Sequence, residues 1–253
     1  MSAVEAQASA RESGGALEGQ AVVVLGGSAG IGFETARLAR AEGAEVIITA
    51  RNPDPLERAA RALAARDAKA FDASDPAALR EFFSGLDGQV DHVLLTAGRP
   101  EYGHVSELGV ERVRGALSGH QLLALEVAEY APAAVRRGGS LVLMGGTGGR
   151  RPRAGGAIVN AATAAMPPLT ASLALELAPT RVNLIAPGFV DTPLSASILG
   201  DQLEQRRTQL RETLPIGRVV GPADVAALAV HLMVNTAITG ATFDIDGGQQ
   251  LVE

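Results

Sequence analysis

Apolar residues recur along the chain in short runs bounded by glycine, proline or charged residues, with longer stretches of helical spacing between them. Ala21 to Leu25, Glu45 to Ala50, Lys69 to Phe71, His92 to Leu95, Ser140 to Met144, Arg181 to Ala186 and Thr242 to Ile245 read as strands. Ile31 to Ala41, about Pro55 to Ala65, Ser106 to Val135, Ala157 to Leu177 and Pro222 to Met233 place apolar side chains at the intervals of amphipathic helices. Asp75 followed by Pro76 reads as an N-cap with proline at the first helical position. Strands that alternate with helices imply an α/β fold, doubly wound, with a mostly parallel seven-stranded sheet and helices on both faces. One domain over residues 19–253 is expected. Residues 1–18 hold almost no large apolar side chain and are expected to form a flexible tail.

The first strand runs into a glycine-rich turn, Gly26-Gly27-Ser28-Ala29-Gly30-Ile31-Gly32, and a helix pattern starts directly after it. Strand, glycine turn and helix in that order form the dinucleotide-binding fingerprint of a Rossmann-type sheet. Gly26 permits the tight turn, Gly30 lets backbone approach a pyrophosphate, and Gly32 lets the helix pack on the strand, while the helix N-terminus offers free N–H groups to an anion. Ser28 and Ile31 belong to the same turn.

At the end of the second strand stand Ala50 and Arg51, where a carboxylate for ribose hydroxyls is found in NAD sites. A guanidinium there pairs with a 2′-phosphate, so NADP(H) is the expected cofactor, the alternative being that Arg51 is a solvated loop charge. Ala29 supplies no second basic residue. Asp72, beside Ala73 after the third strand, is a candidate acceptor for the adenine amino group. Thr96-Ala97-Gly98 ends the fourth strand with small residues suited to close cofactor approach.

Composition narrows the choice of partners. A net charge of −6 with a single lysine argues against a nucleic-acid surface, and the absence of cysteine excludes disulfides and thiolate chemistry. His92, His104, His120 and His231 lack metal-ligand spacing, so no metal site is expected. No apolar run reads as a membrane span or a secretory signal, which makes a soluble cytoplasmic protein the expectation.

These motifs together resemble the short-chain dehydrogenase/reductase family from Ala21 to the C-terminus. The turn matches TGxxxGxG with Leu25 for Thr, and Thr96-Ala97-Gly98 matches the end of NNAG with Leu95 for the first Asn. Glu176-Leu177-Ala178-Pro179 with Arg181-Val182-Asn183, the loop Ala186 to Pro193, and Asp246-Gly247-Gly248 resemble further family signatures. The resemblance implies that Pro187, Gly188, Val190 and Thr192 hold the nicotinamide end, joining Ala97 and Gly98 in the cofactor site. It also implies a homo-oligomer, dimer or tetramer, acting on a small-molecule substrate.

The family's Ser, Tyr and Lys are missing. Their positions fall on Gly146, Val159 and Thr163, and the Asn that anchors a relay water falls on His120 or a neighbour. Neither Tyr102 nor Tyr130 lies in that segment, and no lysine follows Lys69. Tyr protonates the alkoxide in such enzymes, Lys lowers its pKa, and Ser orients the carbonyl, none of which Val159 can do. Pro167-Pro168 should break the helix between Thr163 and Pro168, with Thr163 available to cap its second half. His120 is a candidate proton donor or orienting group, or a packing residue. Tyr102, His104 and Arg150, the last clustered with Arg151 and Arg153, are candidates for the substrate mouth or plain loop residues.

Three readings stay open. The first is an NADP(H)-dependent oxidoreductase with a non-standard catalytic set, acting on a carbonyl, imine or activated alkene. The second is a non-redox cyclase, isomerase or dehydratase on the same scaffold, and the third a catalytically silent NADP-binding sensor or partner protein.

Overall fold

Val22 and Val24 turn to one face of β1 (Ala21–Leu25) while Val23 and Leu25 turn to the other, and all four are fully buried. A strand apolar on both faces belongs at the centre of a covered parallel sheet. The computed structural model describes residues 14–150 and 154–252. In it β1 is joined by β2 (Glu45–Ala50), β3 (Asp67–Ala70), β4 (Val90–Leu95), β5 (Val135–Met144), β6 (Arg181–Pro187) and β7 (Thr242–Ile245). Their order in the sheet is β3-β2-β1-β4-β5-β6-β7, every neighbouring pair parallel.

The helices divide between the two faces. Leu79, Phe82 and Phe83 of α3 (Pro76–Ser84), Leu123 to Ala134 of α4 (Val110–Ala134), and Met166 and Leu173 of α6 (Met166–Glu176) share one core with Val23 and Leu25. Ala36 and Ala39 of α1 (Gly30–Ala41), Leu56 and Ala59 of α2 (Pro53–Leu63), and Val225 and Leu232 of α9 (Pro222–Val234) share the other with Val22 and Val24. The remaining helices are α5 (Ala157–Ala164), α7 (Pro193–Leu199), α8 (Leu203–Thr213) and the short α10 (Gln249–Val252). All strands being parallel, their C-terminal ends line one edge. There the chain leaves β1 for β2 on one side and later returns to β4 on the other, the switch point at which such sheets hold ligands.

Several expectations are corrected. Leu17 lies within the segment read as a flexible tail, yet it is fully buried and its N–H donates to Glu42 O at 2.9 Å, because one large apolar side chain suffices to tie this turn to the core. Residues 1–13 lie outside the described residues. β5 starts five residues earlier than the apolar run implied, since Val135 pairs with Val90 ahead of a register shift. The prolines do mark a helix boundary, but Thr163 does not cap the second half. Its hydroxyl donates to Val159 O at 2.8 Å within α5, and Ala165 stands at the N-cap of α6 with no side-chain cap. Pro167 and Pro168 fall in the first turn of α6, where the N–H groups have no intrahelical acceptor to lose.

The stretch 157–176 is in fact long and apolar enough to cross a membrane, against the reading of the sequence. It is split into α5 and α6, and Met166, Leu173 and Ala174 are buried in the core.

Candidate cofactor and substrate site

The glycine turn is held open by contacts on both sides. Gly26 and Gly27 donate to Thr49 O of β2 at 3.0 and 2.9 Å. On the β4 side Thr96 Oγ1 donates to Leu25 O at 3.0 Å and Gly26 O at 3.2 Å. Gly26 has φ of 100°, and a Cβ on it would stand 2.7 Å from Thr96 Oγ1. A Cβ on Gly32 would stand 2.1 Å from Gly26 O, so α1 reaches the turn only because residue 32 has no side chain. Ala29, at the N-cap of α1, offers no side-chain cap to the first turn. The N–H groups there are available to an anion.

The loop after β6 closes on the same turn. Gly188 N–H donates to Ile245 O at 3.2 Å, Phe189 N–H to Gln249 Oε1 at 2.8 Å, and Asp191 N–H to Val220 O at 2.9 Å. Thr192 caps α7 by accepting from Ser195 N–H at 3.2 Å, and its Cβ lies 3.4 Å from where a Cβ on Gly30 would stand. Arg207 of α8 bonds Asp191 Oδ1 at 2.6 Å and pairs with Glu204, which holds its guanidinium above the usual range. Thr192 is thus brought to Gly30 of the glycine turn across a long stretch of sequence, with Pro187, Gly188 and Val190 preceding it in the same segment.

At the β2 and β3 ends, Asp72 Oδ1 accepts from Ser74 N–H at 3.0 Å and Ser74 Oγ at 2.8 Å. Those bonds, and after them the charge of Arg51, hold the Asp72 carboxyl below its ordinary value. Arg51 is exposed, and Ala73, next to Asp72 in sequence, is buried.

His120 of α4 projects toward the ends of β4 and β5. Its Nε2 lies 2.8 Å from Met144 O, a carbonyl that only accepts, so Nε2 carries a proton. Nδ1 of the neutral ring is then an acceptor, and it stands 3.5 Å from the place of a Cβ on Gly98. Gly146 faces Thr163, whose Cγ2 is 3.3 Å from the place of a Cβ on Gly146, and Val159 is buried on α5. Gln121, beside His120, donates to Ala162 O at 2.7 Å, tying α4 to α5.

The substrate-mouth candidates separate. Gly103, between Tyr102 and His104, donates to Gly155 O at 2.9 Å, which sets this loop against the start of α5. Arg150 is turned away into an ion pair with Asp244 of β7, so its guanidinium is already matched by a carboxylate. Arg151 and Arg153 lie outside the described residues. Among the described residues no cluster of His, Cys, Asp or Glu could hold a metal ion.

Two roles escaped the sequence reading. Thr96 reads in sequence as a small residue suited to close cofactor approach, and its hydroxyl in fact bridges β4 to the turn. Arg58 of α2 lines a cleft of about 360 Å³ with Ser28, Ala29, Gly30 and Phe33, and an exposed arginine on a charged helix carries no signal of its own.

The residues present fit a dinucleotide. The turn leaves room that a Cβ would fill, the adjoining helix end is uncapped, and a cleft opens beside it. Near the ends of β4 and β5 stand Gly146 facing Thr163 and the His120 imidazole facing Gly98, with Val159 buried on α5.

Comparison with known proteins agrees with this geometry. A family model described as enoyl-(acyl carrier protein) reductase matches residues 26–250. The short-chain dehydrogenase/reductase malC of Malbranchea aurantiaca is 30% identical over 262 residues, covering 95% of this chain and 98% of the relative. The solved structure of that reductase/Diels-Alderase superposes with a TM-score of 0.86 at 27% identity, over 93% of this chain and 98% of the other. A solved small-chain dehydrogenase in complex with NADPH superposes with a TM-score of 0.79 at 29% identity, over 92% and 99%.

Proposed function

The chain belongs to the short-chain dehydrogenase/reductase family, and from that premise we propose an NADP(H)-dependent reductase whose substrate needs no acid at the position of the family's tyrosine. One contrast carries the reading. The frame around the glycine turn is complete, while Gly146, Val159 and Thr163 put no ionisable side chain at the positions of the family's Ser, Tyr and Lys.

NADPH, when bound, supplies a hydride. Gly26, Ser28, Gly30, Ile31 and Gly32 would hold its pyrophosphate, Arg51 its 2′-phosphate, and Asp72 and Ala73 its adenine. Ala97, Gly98, Pro187, Gly188, Val190 and Thr192 would hold the nicotinamide end. The relative solved with NADPH supports this choice of cofactor.

An iminium carbon that gains a hydride becomes a neutral amine and takes up no proton. Val159 costs such a reaction nothing. For an activated carbonyl or alkene a proton is still required, and its source is water or, from Nδ1, the imidazolium form of His120. With Nε2 bound to Met144 O, the His120 ring presents Nδ1 to the site in a fixed orientation.

MalC is a reductase and a Diels-Alderase, which supports a second reading in which the site of this chain folds a substrate for cyclisation. A homo-oligomeric state and a cytoplasmic location belong to the same proposal. Val110, Leu117, Leu122 and Leu125 of α4 and Leu175 of α6 are exposed and support the first of these.

The test is a panel of cyclic iminium ions, activated ketones and conjugated enones, followed by the loss of NADPH absorbance. Turnover of iminium ions ahead of simple ketones is expected. Tight NADPH binding with no oxidation across the panel overturns the reductase, and product formed without net cofactor change selects the cyclase.

A further inference from the structure

α2 is locked in phase by Leu56, Ala59 and Leu63, all buried against the sheet. That phase sets Pro55, Arg58 and Ala62 along the cleft that Ser28, Ala29 and Gly30 line from the other side. The side chain of Ala29 is a single methyl, so the turn leaves this volume open and provides no positive charge of its own.

The charges around the cleft are uneven. Glu34 of α1 is paired with Arg37 at 2.8 Å, and Glu57 of α2 lies 3.7 Å from Arg61. Asp54, one turn before Arg58 on α2, forms no ion pair with it. No hydrogen bond or ion pair joins Arg58 to any described residue, whereas Arg61 on the same helix is paired with Glu57. Arg51, at the end of β2, is close enough to Asp72 for its charge to help hold that carboxyl below its ordinary value, so its own charge is shared with a carboxylate. A phosphate group carrying nearly two negative charges would be under-neutralised by Arg51 alone.

We infer that Arg58 is a specificity-determining residue for the cofactor, supplying from α2 the second cation for the 2′-phosphate that the glycine turn lacks. The inference rests on the NADP(H) reading above. It adds to that reading a residue from a different element, reached across the space left by Ala29.

Arg58→Ala is the informative variant, since an exposed side chain with no partner can be removed without disturbing the fold, as an unchanged melting temperature would verify. The intact protein is titrated by calorimetry with NADPH, NADH, adenosine 2′,5′-bisphosphate and 5′-AMP. Affinity for NADPH and for the bisphosphate should fall about tenfold, with NADH and 5′-AMP changed less than about twofold. Arg58→Lys should retain most of the preference, and Arg58→Glu should lose more than Arg58→Ala. An unchanged ratio of NADPH to NADH affinity in Arg58→Ala, with the ratio lost in Arg51→Ala, overturns the role of Arg58 and leaves the cofactor assignment standing. A wild-type protein without preference for NADPH overturns both.

Discussion

His92 shows how far a single side chain depends on its setting. Four histidines are scattered through the sequence without pattern, and this one is fixed inside the sheet, its Nδ1 2.8 Å from Ser140 Oγ and its Nε2 2.7 Å from Gln20 Oε1. The amide oxygen only accepts, so Nε2 donates and Nδ1 accepts from the serine, which makes the ring neutral. Burial first, and the charge of Arg181 second, push its pKa down to about 3. A folded-state value below the ordinary 6.5 means that the unfolded chain takes up a proton which the native ring refuses. Stability from this group is complete above pH 6.5 and declines toward pH 3, by up to about 1.4 kcal/mol for each pH unit. Denaturant midpoints measured from pH 7 to pH 4 should fall more steeply for the wild type than for His92→Gln. Parallel curves would show that the proton is taken up elsewhere.

At the scale of elements, α8 is the instructive case. Its sequence, Leu203 to Thr213, is dominated by charged and amide side chains, and Leu210 is its one buried residue. Leu210→Ala should destabilise the protein by about 2–5 kcal/mol, read from chemical denaturation, and should speed hydrogen exchange across residues 203–213. A loss below about 1 kcal/mol would place the hold on α8 in its Arg207 contacts instead. The same feature explains why periodicity did not find this helix or α7, which buries no residue at all. The strands were legible because a strand covered on both faces must be continuously apolar, and the glycine turn because close approach admits no side chain. What the chain order concealed were contacts between distant segments. Thr96 reaching Gly26, Arg58 facing Ser28 and Arg150 turning to Asp244 are all set by the sheet order, which no local pattern encodes. The missing Ser, Tyr and Lys were legible as absences, and the structure puts Gly146 and Thr163 face to face.

Across the whole molecule, two long-range braces enclose one edge of the sheet. β4 and Thr96 close over the glycine turn from within, and the loop after β6 closes over it from the far end, stapled by Arg207 and by Gln249. The N-terminal side contributes as well, through Leu17, which is buried in the same core as residues of α1, α2 and α9. An apolar core on each face makes the sheet a stiff frame, and the functional variety of the fold is confined to what stands along that edge.

The tie between Thr96 and the glycine turn spans 71 residues of sequence, and β1 itself pairs with β4 over a similar gap. The order of events as the chain folds follows from this. A loop of that length must close before the turn acquires its second wall, and parallel pairings of high sequence separation form slowly. The nucleotide cradle is therefore finished with the global transition and not in an early local step. Refolding followed at once by intrinsic far-ultraviolet signal and by quenching or enhancement of NADPH fluorescence should show secondary structure gained before any cofactor response, and the cofactor response arriving with the last phase. NADPH binding in the earliest phase would mean that β1, the turn and α1 suffice alone.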